Sequence, residues 1–239
     1  MWPFHSHVTV GESGLLEGLV DYHCHLLPGV DDGVQKLEHT LSILDMWEQQ
    51  HVSEIWLTPH IMEDIPNKTT DLRNAFDDLK KHYSGRIVLH LSAENMMDNT
   101  LSERLPKGDI LPLGKEQRHL LVETSYFNPP YDMDATLESV FSKGYYPVLA
   151  HPERYNYMKM DDYKRLKDRR VLFQLNIPSL VGAYGKEVQQ KAEALLEKGF
   201  YDLYCTDTHS VRFVKFFLSG KMSKKVFRQT RQLIEHHSL

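Results

Sequence analysis

Histidines and carboxylates recur in this sequence at the ends of short apolar runs, where a folded chain could gather them. His23 and His25 flank Cys24, and Asp31-Asp32-Gly33 follows soon after. Further along come His60 after Thr58-Pro59, Glu94 after Ala93, Glu123 after Val122, and His151 ahead of Pro152-Glu153-Arg154. Asp207 and His209 close the series. On an extended segment a spacing of two turns His23 and His25 to one side, and the same holds for Asp207 and His209. Imidazole with carboxylate suits zinc, manganese or iron. Each piece alone has an ordinary reading. A single strand-end histidine is commonly hydrogen-bonded and structural, an acid there commonly caps a helix, and Asp31-Asp32-Gly33 alone is a turn. His5-Ser6-His7 repeats the spacing but follows no apolar run, and reads as incidental. The weight lies in the joint pattern, because burying so many ionisable groups together without a metal would be costly.

Those apolar runs are the elements that must position the ligands. They span residues 18–22, 54–58, 87–92, 119–124, 146–150, 171–176 and 201–206, seven in all. The gaps between them carry helical spacing, as in Leu37, Leu41, Leu44 and Trp47, or Leu72, Ala75, Phe76 and Leu79. Residues 135–143 and 188–198 look similar, with Gly144 and Gly199 as stops. Strands alternating with helices imply βα units and a parallel sheet. The expected fold class is α/β, a compact single-domain barrel, with an open doubly wound sheet as the alternative. In a parallel barrel the C-terminal strand ends meet in one place, which would bring the flagged residues into one pocket. Residues 1–18 read as an irregular extension ahead of a domain over 19–239. Residues 221–237 read as a basic surface helix carrying Lys221, Lys224, Lys225, Arg228 and Arg231. Such a run is usually a solvated face; a docking surface for an acidic partner is the other reading.

Composition narrows the function classes. With 41% hydrophobic and 26% charged residues, the chain has the balance of an ordinary globular domain. A formal net charge of -5 speaks against general nucleic-acid binding. Two cysteines are too few for a disulfide framework, which points to a reducing compartment. No secretory signal or membrane-length apolar run is visible, so the expected location is the cytoplasm, without membrane insertion. A cysteine phosphatase would need Arg six residues after its nucleophile, but Val30 and Val211 stand there after Cys24 and Cys205. No P-loop, dinucleotide fingerprint or zinc ribbon is present.

Taken together, the motifs resemble the polymerase-and-histidinol-phosphatase (PHP) superfamily. The stretch from Asp21 through His23-Cys24-His25 to Gly33, with Ala150-His151-Pro152-Glu153-Arg154-Tyr155, looks more narrowly like the bacterial PHP-type protein tyrosine phosphatases of capsule and exopolysaccharide loci. The likeness runs from about residue 19 to 210. It implies a distorted (β/α)7 barrel holding three divalent ions, with Mn the first choice and Fe or Zn possible on the same ligands. His23, His25, Glu94 and Asp207 would hold the first ion. Glu94 as a bridge, with Glu123 and His151, would hold the second. Asp32, His60 and His209 would hold the third. Arg154 matches the family's phosphate-binding arginine, and Arg212 falls near a second one. Asn176 is a further candidate for substrate contact. Where some relatives carry basic residues after the second-strand histidine, this chain has Ile61-Met62-Glu63-Asp64, with Lys68 the nearest cation.

The implied reaction is attack of a metal-bridging hydroxide on the phosphorus of phosphotyrosine, with Arg154 stabilising the transferred group. Asp207 and His209 are the candidate proton donors. The substrate would be a phosphotyrosine protein, with the tail of a polysaccharide-synthesis tyrosine kinase implied only by the resemblance. Three other readings compete: a small-molecule phosphatase such as a histidinol phosphatase, a metal-dependent nuclease, and a non-enzymatic scaffold whose basic C-terminal helix binds an acidic partner. The oligomeric state is left open by the sequence.

Overall fold

A computed structural model describes residues 7–236 and 239. Its strands are β1 (His7–Thr9), β2 (Val20–Cys24), β3 (Glu54–Leu57), β4 (His60–Ile61), β5 (Val88–Leu91), β6 (Glu94–Met96), β7 (His119–Glu123), β8 (Tyr146–Ala150), β9 (Leu172–Asn176), β10 (Leu203–Cys205) and β11 (Lys221–Ser223). Its helices are α1 (Leu37–Gln49), α2 (Thr69–His82), α3 (Asn99–Arg104), α4 (Met133–Ser142), α5 (Met160–Asp168), α6 (Lys186–Glu197), α7 (Val211–Ser219) and α8 (Lys224–His236). Each expected apolar run holds a strand: β2, β3, β5, β7, β8, β9 and β10. Runs such as Leu120-Leu121-Val122 and Val148-Leu149-Ala150 are fully buried on both faces, the pattern of a parallel sheet covered by helices. The helices bury one stripe each, as α1 does with Ile43, Leu44 and Trp47. Side chains of Asp98, Asp132 and Ser210 cap α3, α4 and α7 by accepting backbone N–H groups.

The fold is a single-domain α/β architecture built on parallel strands. The expected closed barrel is not seen as one continuous hydrogen-bonded sheet. Among the described residues the parallel strands form two sheets, β2-β3-β5 and β10-β9-β8-β7-β6-β4. The break has a local cause. After β3 the chain passes Thr58-Pro59, and Pro59 has no N–H to give to a ladder. After β5 it passes Ser92-Ala93. The chain then re-enters as β4 and β6, which pair with each other in the second sheet, His60 opposite Glu94. At the far side β2 and the end of β10 touch. Cys24 and Thr208 form an isolated parallel bridge, and His25 N donates to Thr208 O at 2.9 Å. Buried Asp21 fastens the same seam by accepting from Thr206 N at 2.9 Å and Thr206 Oγ1 at 2.5 Å.

Two terminal expectations are corrected. The N-terminal extension is not irregular throughout: β1 pairs antiparallel with β11, Val8 opposite Met222, and a 3-10 turn over Val10–Glu12 follows. Residues 1–6, including His5 and Ser6, lie outside the described residues. The basic C-terminal segment begins as strand β11, not helix, and α8 starts at Lys224. Helix α8 buries Val226, Thr230 and Leu233, and Lys224, Lys225 and Arg231 are exposed. No helix of the described residues is long and apolar enough to cross a membrane.

Candidate metal centre

The ends of β2 and β10 and the start of β6 bring four candidate ligand atoms to one point. His23 Nε2 and His25 Nε2 lie 3.0 Å apart. Glu94 Oε2 is 3.1 Å from the first and 3.3 Å from the second. Asp207 Oδ1 is 3.5 Å from both. The far side of each imidazole fixes its proton. His23 Nδ1–H donates to Gln174 Oε1 at 2.9 Å, and His25 Nδ1–H donates to the Asp31 carboxylate at 2.7 Å. In the neutral rings both Nε2 lone pairs therefore face each other and two carboxylate oxygens. Acceptors aimed at one point repel unless a cation lies between them, so this donor set fits a divalent metal.

Glu94 is the hub. Its other oxygen, Oε1, is 2.9 Å from His151 Nε2, and Glu123 Oε2 lies 4.0 Å from that nitrogen. His60 stands between two groups. Its Nδ1 is 3.2 Å from Glu94 Oε2 and 3.0 Å from Glu123 Oε1, whereas its Nε2 is 3.4 Å from Asp32 Oδ1. His60 Nδ1 and Glu123 Oε1 are buried and make no hydrogen bond despite their closeness. Such orphaned atoms also fit ligation of a cation. His209 Nε2 is 3.6 Å from the same Asp32 oxygen. Four ligand groups could hold an ion: His23 with His25 and Asp207; His23 with Glu94 and His151; His60 with Glu94 and Glu123; and His25, Asp32, His60 and His209. All nine sequence-flagged ligands thus fall within one connected cluster. The resemblance puts His60 with Asp32 and His209 only, but its ring also reaches Glu94 and Glu123.

Electrostatics support the same conclusion. Asp31, Glu94, Glu123 and Asp207 are each almost wholly buried at the side chain. Arg154 is the one fixed cation bonded to this set among the described residues. Burial alone would raise the Glu94 carboxyl, yet His23 and His60 beside it hold it well below the usual range. Burial would likewise lower the His25 pKa, and Asp31 and Glu94 raise it instead. Two residues of this cluster carry left-handed backbone that a side chain seldom adopts: His151 at φ 33° and Asp207 at φ 50°. Strain of this kind persists where the surroundings overdetermine a functional geometry.

Around the ligands the flagged residues divide. Arg154 reaches the cluster, and its Nη1 donates to Asp207 Oδ2 at 2.7 Å. Asn176 was a candidate for substrate contact, with a hydrogen-bonded strand terminus the stronger reading. Its side chain is fully buried behind Asp207, with Nδ2 donating to Asp207 Oδ2 at 2.9 Å and to the Tyr184 hydroxyl at 3.0 Å. It fixes the Asp207 carboxylate as a buried, hydrogen-bonded strand terminus. Arg212 sits exposed at the start of α7, lining a groove with His39 and His209. The proton-donor expectation also shifts. Burial would raise the Asp207 carboxyl, but His209, His23 and Arg154 hold it low, so it is an ionised acceptor. Burial and the neighbouring His25 push His209 down. Lys68 is exposed at the start of α2.

Sequence reasoning missed the residues that aim the ligands. Asp31 was set aside in favour of Asp32, yet it orients His25 and also accepts from His60 N at 3.1 Å. Gln174 was not flagged, although it lies two before Asn176 on a strand and so shares its face. Tyr126 and Tyr184 flank Arg154, with ring centroids 4.3 and 4.2 Å from its Cζ. Tyr126 follows Glu123 closely enough to have been sought; Tyr184 lies in a stretch with no motif. Both cysteines are fully buried free thiols, and burial pushes each well above the ordinary thiol range. Neither is a nucleophile in waiting.

The chain is similar to several known proteins. The family model described as capsular polysaccharide synthesis, CpsB/CapC, matches residues 19–216. The tyrosine-protein phosphatase YwqE of Bacillus subtilis (strain 168) is 26% identical over 204 residues, covering 83% of this chain and 80% of that protein. The tyrosine-protein phosphatase CpsB of Streptococcus pneumoniae is 24% identical, covering 81% of this chain and 84% of that one. A solved structure from work on YwqE of Bacillus subtilis and CpsB of Streptococcus pneumoniae, described as metal-dependent tyrosine phosphatases, aligns with a TM-score of 0.77 at 23% identity. That alignment covers 91% of this chain and 86% of the other.

Proposed function

The chain belongs to the capsular polysaccharide synthesis CpsB/CapC family, and on that footing we propose that it is a metal-dependent protein tyrosine phosphatase regulating capsule or exopolysaccharide synthesis. The observation that carries this reading is the meeting of His23 Nε2, His25 Nε2, Glu94 Oε2 and Asp207 Oδ1 beside the Arg154 guanidinium. Metal ligands and an oxyanion-binding fork in one pocket suit phosphoryl transfer. The tyrosine phosphatases among its relatives support the same substrate class.

In this reading three divalent ions bind. His23, His25, Glu94 and Asp207 hold the first, Glu94, Glu123 and His151 the second, and Asp32, His60 and His209 the third, with His60 also within reach of the second. Manganese is the first choice, with iron or zinc able to use the same ligands. Such ions, when bound, supply positive charge to the phosphoryl oxygens and lower the pKa of coordinated water. The chain's residues do the rest. Asp31 and Gln174 turn the His25 and His23 lone pairs inward. Asn176 and Tyr184 steady Asp207. Arg154 faces the phosphoryl oxygens and favours their charge in the transition state. A tyrosyl leaving group, with a pKa near about 10, departs with little protonation, which suits a site where the Asp207 carboxylate is held ionised.

We read the two parallel sheets as one distorted (β/α)7 barrel, opened at Pro59 and joined by the Cys24–Thr208 bridge. Residues 19–239 form the catalytic domain in this reading. The natural substrate is then a phosphotyrosine protein, and for this family the tail of a polysaccharide-synthesis tyrosine kinase is the one we propose. Free buried cysteines are consistent with a cytoplasmic site of action. Phosphate release from a phosphotyrosine peptide, histidinol phosphate and single-stranded DNA by manganese-loaded protein tests the assignment. Preference for the peptide supports it; preference for either other substrate overturns it.

A further inference from the structure

Arg154 is held from three directions. The Tyr126 ring centroid lies 4.3 Å from Cζ and the Tyr184 centroid 4.2 Å. Nη1 donates to Asp207 Oδ2 at 2.7 Å, and the guanidinium makes no other hydrogen bond among the described residues. A guanidinium carries five N–H donors in one plane. With an aromatic ring at two approaches, an incoming partner is best met by the free edge of that plane. Phosphate is the partner whose oxygens match such an edge in pairs.

The two tyrosines come from different loops and are anchored differently. Tyr184 precedes α6; its hydroxyl donates to Asp207 Oδ2 at 3.3 Å and accepts from Asn176 Nδ2 at 3.0 Å. Tyr126 follows β7. Its backbone carbonyl accepts from Asn156 N at 2.8 Å, and its hydroxyl makes no hydrogen bond among the described residues. The Tyr126 ring also lies 5.8 Å from that of His151 and stacks at 6.2 Å on Tyr155, which is fully buried. What Tyr126 gives to Arg154 is therefore its ring face, held by the ring behind it.

We propose that Tyr126 and Tyr184 are positioning residues that clamp the Arg154 guanidinium between their rings, so that its free N–H edge meets the phosphoryl group of the substrate. The inference rests on the phosphatase reading of the site. It assigns the tyrosines a part in phosphate recognition through Arg154, not in the bond-breaking step.

The test compares Tyr126→Leu, Tyr126→Phe, Arg154→Lys and the Arg154→Lys/Tyr126→Leu double variant. Binding of inorganic phosphate to metal-loaded protein is read by calorimetry, beside kcat and KM on a phosphotyrosine peptide. Tyr126→Leu should weaken phosphate binding roughly tenfold and raise KM more than it lowers kcat, within the range that loss of a cation–π contact supplies. Tyr126→Phe, which keeps the ring, should stay within about twofold of wild type. In the Arg154→Lys background Tyr126→Leu should add little, because contacting residues are not additive. Unchanged phosphate binding in Tyr126→Leu overturns the clamp. So does a Tyr126→Phe defect equal to that of Tyr126→Leu, or full additivity in the double variant. If Tyr126→Leu loses its fold, Tyr126→Met judged against Tyr126→Phe asks the same question with a smaller change of volume. Wild-type protein that binds phosphate yet leaves the peptide intact would refute the phosphatase reading and leave the clamp standing.

Discussion

His25 donates its Nδ1–H to the buried carboxylate of Asp31 across 2.7 Å, and this bond turns the Nε2 lone pair of His25 toward His23, Glu94 and Asp207. A carboxylate behind a ligating imidazole fixes its tautomer and raises its basicity. Asp31→Asn should therefore weaken metal binding by about 10–100-fold without removing any ligand. Titration of the apo-protein with manganese measures this; an unchanged affinity would show that Asp31 only shapes the turn.

The same turn leaves no room at Gly33. A Cβ added there would stand 2.3 Å from His25 O and 2.4 Å from His25 Cβ. Gly33→Ala must push the Asp31-Asp32 loop away from His25, at a cost of about 1–3 kcal/mol or more. We expect a lower Tm together with reduced metal content by elemental analysis. Normal metal content in a folded Gly33→Ala protein would contradict the tight fit.

Cys24 and Cys205 should be chemically silent. Burial pushes both thiols well above their usual range, so near pH 8 they remain protonated. Iodoacetamide on the native protein should leave p-nitrophenyl phosphate hydrolysis intact, and so should Cys24→Ser and Cys205→Ser. His151→Ala should abolish it. Rapid loss of activity on alkylation would point to a thiolate mechanism.

The two candidate phosphate arginines should separate. Arg154 is bonded to Asp207 and flanked by two rings, whereas Arg212 is exposed on α7. Arg154→Lys loses the planar fork and should cut kcat/KM by about 10²-fold. Arg212→Ala should change it by less than about threefold, as expected of a solvent-screened charge. Steady-state kinetics on a phosphotyrosine peptide checks both; equal losses would place Arg212 at the substrate.

The candidate ligands were legible in the sequence because all but Asp32 stand at or just past the end of a buried apolar run, and that register survives whatever the sheet does. His23, Glu94, Glu123, His151 and Asp207 needed only the strand ends to be right. The split of the barrel was not legible, because it turns on the missing N–H of Pro59 and on which neighbour β4 and β6 choose. Asp31 and Asp32 look alike in a turn, and only the fold decides which one points inward. Tyr184 reaches Arg154 across the chain from a loop without a motif. Helix α5 escaped notice because it buries only Tyr163 and Leu166 beneath a polar surface. Strand β1 is three residues long and gains its partner from the other end of the chain.

The central claim is that His23, His25, Glu94 and Asp207 converge to hold a metal on which phosphotyrosine hydrolysis depends. The direct measurement is phosphate release from a phosphotyrosine peptide by protein stripped with a chelator, then restored with manganese. The account predicts loss of activity on stripping and recovery on restoration, with no recovery in His23→Ala. Full activity in metal-free protein would contradict it.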